Sequence, residues 1–162
     1  MTTADDRFCT TRRLILKGAG SVALIGLGNL PSGSAFAAAN DKYPEDAFKQ
    51  KSDADAIKSL YGGTAEASDK VKLDAPEIAE NGAVVPISVT TTLDNVTSIS
   101  FLVSENPNAL AASYRIPEGT LPNVANRLKM QKTSNVIAIV EAGGKLYSAT
   151  KEVKVTVGGC GG

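Results

Sequence analysis

The hydrophobic pattern of the chain changes near residue 64. Residues 44–61 carry apolar side chains at roughly helical spacing, with a polar interruption at 52–55. From residue 64 to 157, apolar and polar positions alternate, β-branched residues are frequent, and turn signals recur. Alternation with period two is the pattern of a half-buried strand. The sequence therefore predicts an all-β domain over 64–157, preceded by a linker and short helical segment over 38–63.

Seven strands are predicted, each bounded by glycine, proline, asparagine or aspartate. They cover 71–75, 83–92, 96–103, 113–116, 124–130, 136–140 and 146–157. The run 136–140 is apolar at every position, as expected for a central strand covered on both faces. Seven short strands over roughly 95 residues indicate an immunoglobulin-like antiparallel β-sandwich.

The alternation also predicts the core-facing side chains. These are Val85, Ile87 and Val89; Ile99, Phe101 and Val103; Val124, Leu128 and Met130; and Val153, Val155 and Val157. Pro86 lies among them and cannot donate to a ladder, so we expect its strand to be an edge strand or to contain a bulge.

The helical segment can be read in two ways. One helix can span 44–61 and end at Gly62, or Ser52 can cap a second, shorter helix. In both cases we expect the segment to pack against the domain or a partner, without a chemical role.

The first 37 residues have the order of an export signal: a basic region with Arg12 and Arg13, a short apolar run, and a small-residue cleavage site. This predicts a cleaved twin-arginine signal peptide and a periplasmic protein. Cleavage after Ala37 or after Ala39 fits the pattern. A general secretory signal and an uncleaved anchor are the alternatives, although an apolar run of about a dozen residues is shorter than the roughly 20 that span a bilayer.

Removal of residues 1–37 takes away four basic and two acidic side chains, which leaves 13 basic and 15 acidic residues. A net charge of about −2 gives no indication of binding to nucleic acid or to an anionic membrane. Cys9 is lost as well, so Cys160 becomes the one remaining thiol. An unpaired cysteine in an oxidising compartment indicates intermolecular or reactive chemistry.

Cys160 stands in a terminal segment, Gly158-Gly159-Cys160-Gly161-Gly162, with no other side chain. Because glycine restricts the backbone least, we predict a flexible carrier arm of five residues, which reaches roughly 16 to 18 Å when extended. An arm without side chains can enter a narrow cleft in another protein. The alternative is a frayed terminus whose cysteine is incidental or forms an intermolecular disulfide.

The chain contains no histidine, which excludes a Cys/His zinc site, a Ser-His-Asp triad and a Cys-His pair within one chain. Nothing in the arm supplies a base or a second metal ligand for Cys160. We therefore expect no metal or cofactor, and a carrier acted on by partner enzymes instead of an enzyme. Two other classes remain open: a carrier with a thiocarboxylate on Gly162, and a structural module with a disulfide-forming tail.

The chain closely resembles the SoxY family of carrier proteins, which serve thiosulfate oxidation in sulfur-oxidising bacteria. The resemblance rests on residues 75–86 (APEIAENGAVVP), residues 145–155 (KLYSATKEVKV) and the terminal GGCGG of 158–162. Together with the export signal it covers nearly the whole chain.

The resemblance implies a tight heterodimer with SoxZ and covalent attachment of thiosulfate to Cys160 by the cytochrome pair SoxAX. It also implies removal of sulfate by the manganese-dependent hydrolase SoxB and oxidation of the remaining sulfur by the molybdenum and haem enzyme SoxCD. All metals and haems then belong to the partners.

Overall fold

Two short helices precede nine strands in the part of the chain that the structure, a computed structural model, describes, residues 43–157. The helices are α1 (Glu45–Phe48) and α2 (Asp53–Tyr61). The strands are β1 (Glu66–Ala67), β2 (Val71–Asp74), β3 (Ile78–Ala79), β4 (Val85–Thr91), β5 (Val96–Val103), β6 (Leu110–Arg115), β7 (Asn123–Leu128), β8 (Ser134–Ala142) and β9 (Lys145–Val155). The predicted signal peptide, residues 1–37, lies outside the described residues.

The strands form two sheets, which confirms the predicted all-β immunoglobulin-like sandwich. The larger sheet has the order β1-β9-β8-β5-β6, and β3 also pairs with β9. The smaller sheet has the order β2-β4-β7. Strand β8 lies between β9 and β5 along its length, which confirms that the all-apolar run 136–140 belongs to a central strand.

The predicted antiparallel pairing holds for all the longer strands, and two short parallel pairings occur at one edge. Strands β1 and β3 both run parallel to β9, pairing with Tyr147–Ser148 near its start and with Lys154–Val155 at its end. Between these two contacts the chain crosses to the smaller sheet as β2. A two-residue strand is too short to show alternation, so the sequence pattern could not reveal either pairing.

The core between the sheets contains most of the predicted side chains. Its buried members include Val85, Ile87, Val89, Ile99, Phe101, Val103, Leu128, Met130 and Val153, while Val124 and Val155 are partly buried. The prediction for Val157 is wrong, because this side chain is 63% exposed. Strand β9 ends at Val155, so the alternation no longer applies at Val157.

Pro86 occupies a locally free edge, although β4 is the middle strand of its sheet. It pairs with Arg127 of β7 on one side. On the other side, pairing with β2 ends where Asp74 meets Ser88, so β2 leaves this part of β4 uncovered. Pro86 therefore lies where β4 has a partner strand on one side only, and the expectation of an edge position is met locally.

The helical segment consists of two helices, so the interpretation with a cap at Ser52 is confirmed. The Asp55 amide donates to Ser52 Oγ over 3.4 Å, and α2 ends at Gly62, whose φ of +75° favours glycine.

Both helices lie on the outer face of the larger sheet, where they bury a second apolar cluster. The cluster includes Ala47, Ala56, Leu102, Ala109, Leu110 and Ile139. Packing of the segment against the domain is thus confirmed. Within residues 43–157, no helix is both long enough and apolar enough to cross a membrane.

Candidate functional site at the end of the last strand

The predicted site residues Cys160, Gly158, Gly159, Gly161 and Gly162 lie outside the described residues. The structure describes the chain up to Val157, which is three residues before the cysteine. We call residues 153–157 the arm base, because they connect the sandwich to the predicted arm. Their contacts define where the arm begins.

Main-chain hydrogen bonds to residues 77–82 hold the arm base on one side. The Lys154 amide donates to the Glu77 carbonyl over 2.9 Å, and the Thr156 amide donates to the Ala79 carbonyl over 3.1 Å. The Val157 carbonyl then accepts a 2.8 Å hydrogen bond from the Gly82 amide. Because these bonds continue two residues beyond the end of β9, the chain is held as far as Val157.

Two threonine side chains add to this anchoring. Thr156 Oγ1 donates to the Glu80 carbonyl over 3.1 Å. From the β7–β8 connection, Thr133 Oγ1 accepts a 3.0 Å hydrogen bond from the Val155 amide. The arm base is therefore held from both sides, by residues 77–82 and by Thr133.

The segment that holds the arm base is itself tied to the core. The Gly82 carbonyl accepts a 2.7 Å hydrogen bond from the amide of Met130, whose side chain is fully buried. Asn81 Oδ1 accepts a 2.8 Å hydrogen bond from the Ala83 amide and closes a local turn. Movement of Val157 would therefore have to break contacts that lead into the sandwich core.

The sequence interpretation missed these anchoring residues. It took Asn81-Gly82 only as a turn before a strand, and it gave Thr133 and Thr156 no role. The turn signal was correct, but the partner of the Gly82 amide is 75 positions further along the chain. No local pattern encodes a contact at that separation.

The described residues of the arm base belong neither to a metal-binding group nor to the lining of two surface concavities. Residues 43–157 contain no group of three or more acidic, cysteine or histidine side chains able to hold a metal ion. Two surface concavities have volumes of about 510 and 450 Å³. Neither is lined by a residue of the arm base.

Comparison with known families identifies one family model that matches the chain. The model of the family described as "Sulfur oxidation protein SoxY" matches residues 57–160. The match covers more than half of the chain and extends to the cysteine. The chain belongs to the SoxY family. The resemblance noted from residues 75–86, 145–155 and the GGCGG terminus is thereby confirmed.

The solved structure of one SoxY protein agrees with the fold. The sulfur carrier protein SoxY from Chlorobium limicola f. thiosulfatophilum is 42% identical, with a TM-score of 0.59. The alignment covers 64% of this chain and 96% of that one. A superoxide reductase (neelaredoxin) variant, E23A, from Ignicoccus hospitalis aligns at 20% identity and a TM-score of 0.48, covering 62% of this chain and 86% of that one. No curated protein sequence matches the chain.

Proposed function

We propose that the protein is a covalent sulfur carrier in periplasmic thiosulfate oxidation and that Cys160 carries the sulfur. The observation that supports this most is the SoxY family match, which runs from residue 57 to residue 160 and so includes the cysteine. The related Chlorobium limicola structure is itself described as a sulfur carrier protein. The anchored arm base fits this role, because its hydrogen bonds hold the chain in place up to Val157, three residues before Cys160.

The chemistry begins with conjugation. The Cys160 thiolate and thiosulfate form a new S–S bond, giving a cysteine S-thiosulfonate and two electrons. SoxAX cytochromes accept the electrons. Water then cleaves the bond between the terminal sulfonate and the sulfane sulfur, catalysed by SoxB, and releases sulfate and two protons. Cys160 keeps one sulfane sulfur as a persulfide, which is the substrate of SoxCD. This chain supplies only the thiol and its presentation to each enzyme.

The proposal includes export and a permanent partner. The twin-arginine signal in residues 1–37 delivers a folded protein to the periplasm, and SoxZ travels with it as the second half of a heterodimer. The described surface is compatible with a partner at the smaller sheet or at a sheet edge, because the helices already cover part of the outer face of the larger sheet.

Intact-mass measurement of protein purified from thiosulfate-grown cells tests the site and the substrate together. We expect the mass of one thiosulfate or one sulfane sulfur added at Cys160, removed by a thiol reductant and absent from Cys160→Ser. A thiocarboxylate carrier would still load in Cys160→Ser, because its acceptor is Gly162. A structural module would show only a reducible homodimer without added sulfur. Either result would refute the proposal.

A further inference from the structure

Asn81 and Gly82 form the one Asn-Gly pair of the chain. In such a pair the main-chain nitrogen of the glycine can attack the side-chain carbonyl carbon of the asparagine, because glycine has no side chain that hinders the approach. Asn81 is exposed, whereas Gly82 is buried. The reacting pair therefore combines an exposed side chain with a buried main-chain nitrogen.

Three hydrogen bonds hold this pair in an unreactive arrangement. The Gly82 amide donates to the Val157 carbonyl over 2.8 Å, and the Gly82 carbonyl accepts from the Met130 amide over 2.7 Å. Asn81 Oδ1 accepts from the Ala83 amide over 2.8 Å. The attack requires that the Gly82 nitrogen lose its proton and turn towards the Asn81 side chain, so its hydrogen bond to Val157 has to open first.

From these contacts we propose that Asn81 is a deamidation site whose rate is controlled by the anchoring of the arm base. The Gly82 nitrogen forms a bond to Cγ of Asn81, the bond from Cγ to Nδ2 breaks, and ammonia leaves with the proton of the Gly82 amide. Water then opens the cyclic imide at either of its carbonyl groups and gives aspartate or isoaspartate. The reaction needs no oxidant, reductant or enzyme, and the inference does not rest on the proposed carrier function.

Isoaspartate at position 81 releases the arm base. In isoaspartate the main chain runs through the side-chain carbons and is longer by one atom. The neighbours of position 81 are bound to consecutive residues of the arm base, because the Glu80 carbonyl accepts from Thr156 Oγ1 and the Gly82 amide donates to the Val157 carbonyl. An added main-chain atom between these two hydrogen bonds does not allow both to keep their length. We therefore expect the Gly82 amide to leave Val157.

The first test compares the folded protein with a synthetic peptide of residues 78–85 at mildly alkaline pH. Peptide mass mapping follows the loss of Asn81, and electron-based fragmentation distinguishes aspartate from isoaspartate. We expect Asn81 to react at least about tenfold more slowly in the protein, because its hydrogen bonds have to open first. Thr156→Val removes the hydrogen bond to the Glu80 carbonyl and should react faster than wild type, while Thr150→Val should react at the wild-type rate.

Equal rates in the folded protein and the peptide would overturn the control by the arm base. Equal rates in Thr156→Val and Thr150→Val would overturn it as well. Should the urea midpoint show that Thr156→Val is unfolded, Thr133→Val gives the same comparison, because it removes the acceptor of the Val155 amide on the other side of the arm base.

The second test is hydrogen exchange at the Gly82 amide of the isoaspartate form, which ion-exchange chromatography separates from unmodified protein. We expect exchange about tenfold faster than in unmodified protein, because the bond to Val157 is lost. Asn81→Asp adds the same charge without the extra main-chain atom and should exchange at the wild-type rate. Wild-type exchange in the isoaspartate form would overturn the release of the arm base. An equal increase in Asn81→Asp would assign the effect to charge and overturn the role of the longer main chain.

Discussion

The hydroxyl of Tyr61, at the end of α2, lies 2.6 Å from Ser100 Oγ in the middle of β5. Ser98 Oγ lies 3.0 Å from the same hydroxyl and 3.0 Å from Glu141 Oε2. Ser100 and Ser98 are buried, so each needs a hydrogen-bond partner inside the protein. Tyr61 supplies a shared partner, and it thereby fastens the helical segment to the outer face of the larger sheet.

This arrangement predicts a decrease in stability at alkaline pH that depends on Tyr61. Burial raises the pKa of Tyr61, and the Glu141 carboxylate adds to this, while the hydrogen bonds to Ser100 and Ser98 partly oppose it. In the unfolded chain a tyrosine has a pKa of about 10. Stabilisation is therefore complete below that pH. It is lost as the pH rises through the higher pKa of the folded state, because the unfolded chain releases its proton first.

Urea unfolding of wild type and Tyr61→Phe between about pH 8 and pH 11 measures this effect. At pH 8 we expect the variant to be less stable by about 1–3 kcal/mol, since Ser98 and Ser100 lose their shared partner. Above about pH 10 the difference should shrink, because only wild type loses stability when Tyr61 of the unfolded chain ionises before Tyr61 of the folded protein. Tyr43→Phe is the control, because that ring is 56% exposed and stacks on Phe48. A difference that stays constant with pH would contradict the prediction.

The side chain of Thr156 is predicted to hold the arm base in place. Thr156→Val keeps the shape of the side chain but removes the hydrogen bond to the Glu80 carbonyl. We expect a loss of about 0.5–1.5 kcal/mol in unfolding free energy and faster hydrogen exchange at the Gly82 amide, which bonds to the next residue, Val157.

Thr150→Val is the matched control for this change, because Thr150 is an exposed threonine of β9, six residues before Thr156. It should leave exchange at Gly82 unaltered. Equal exchange rates at Gly82 in the two variants would show that the Thr156 side chain does not hold the arm base.

The glycines beside Cys160 are predicted to keep the arm narrow enough for several enzymes. In Gly159→Val/Gly161→Val the cysteine is retained, and the substitutions lie beyond the sandwich. We expect an unchanged unfolding midpoint but loss of sulfate release from the loaded carrier. Chemical loading of the Cys160 thiol by tetrathionate does not require the arm to enter the cleft of an enzyme. It therefore serves as the control for thiol reactivity. Normal turnover by the hydrolase in this variant would disprove the requirement for a slim arm.

The sequence by itself was sufficient for the features that depend on neighbours in the chain. Alternation along β4 and β5 identified Val85, Ile87, Phe101 and Val103 as core residues, because successive side chains of a strand point to opposite faces. The prediction that Cys160 carries the sulfur likewise rests on the local composition of the GGCGG terminus, and the family match extends to that residue. These inferences need no knowledge of which strands are neighbours.

Only the tertiary structure decided how the arm base is held. The parallel pairing of β3 with β9 and the hydrogen bond from Gly82 to Val157 each join parts of the chain about 75 residues apart. Such contacts arise when the two sheets pack and bring the free edge of β9 against residues 77–82. Periodicity reports which face of a strand is apolar, but it does not report which segment will lie beside that strand, because backbone hydrogen bonds are the same for every residue type except proline.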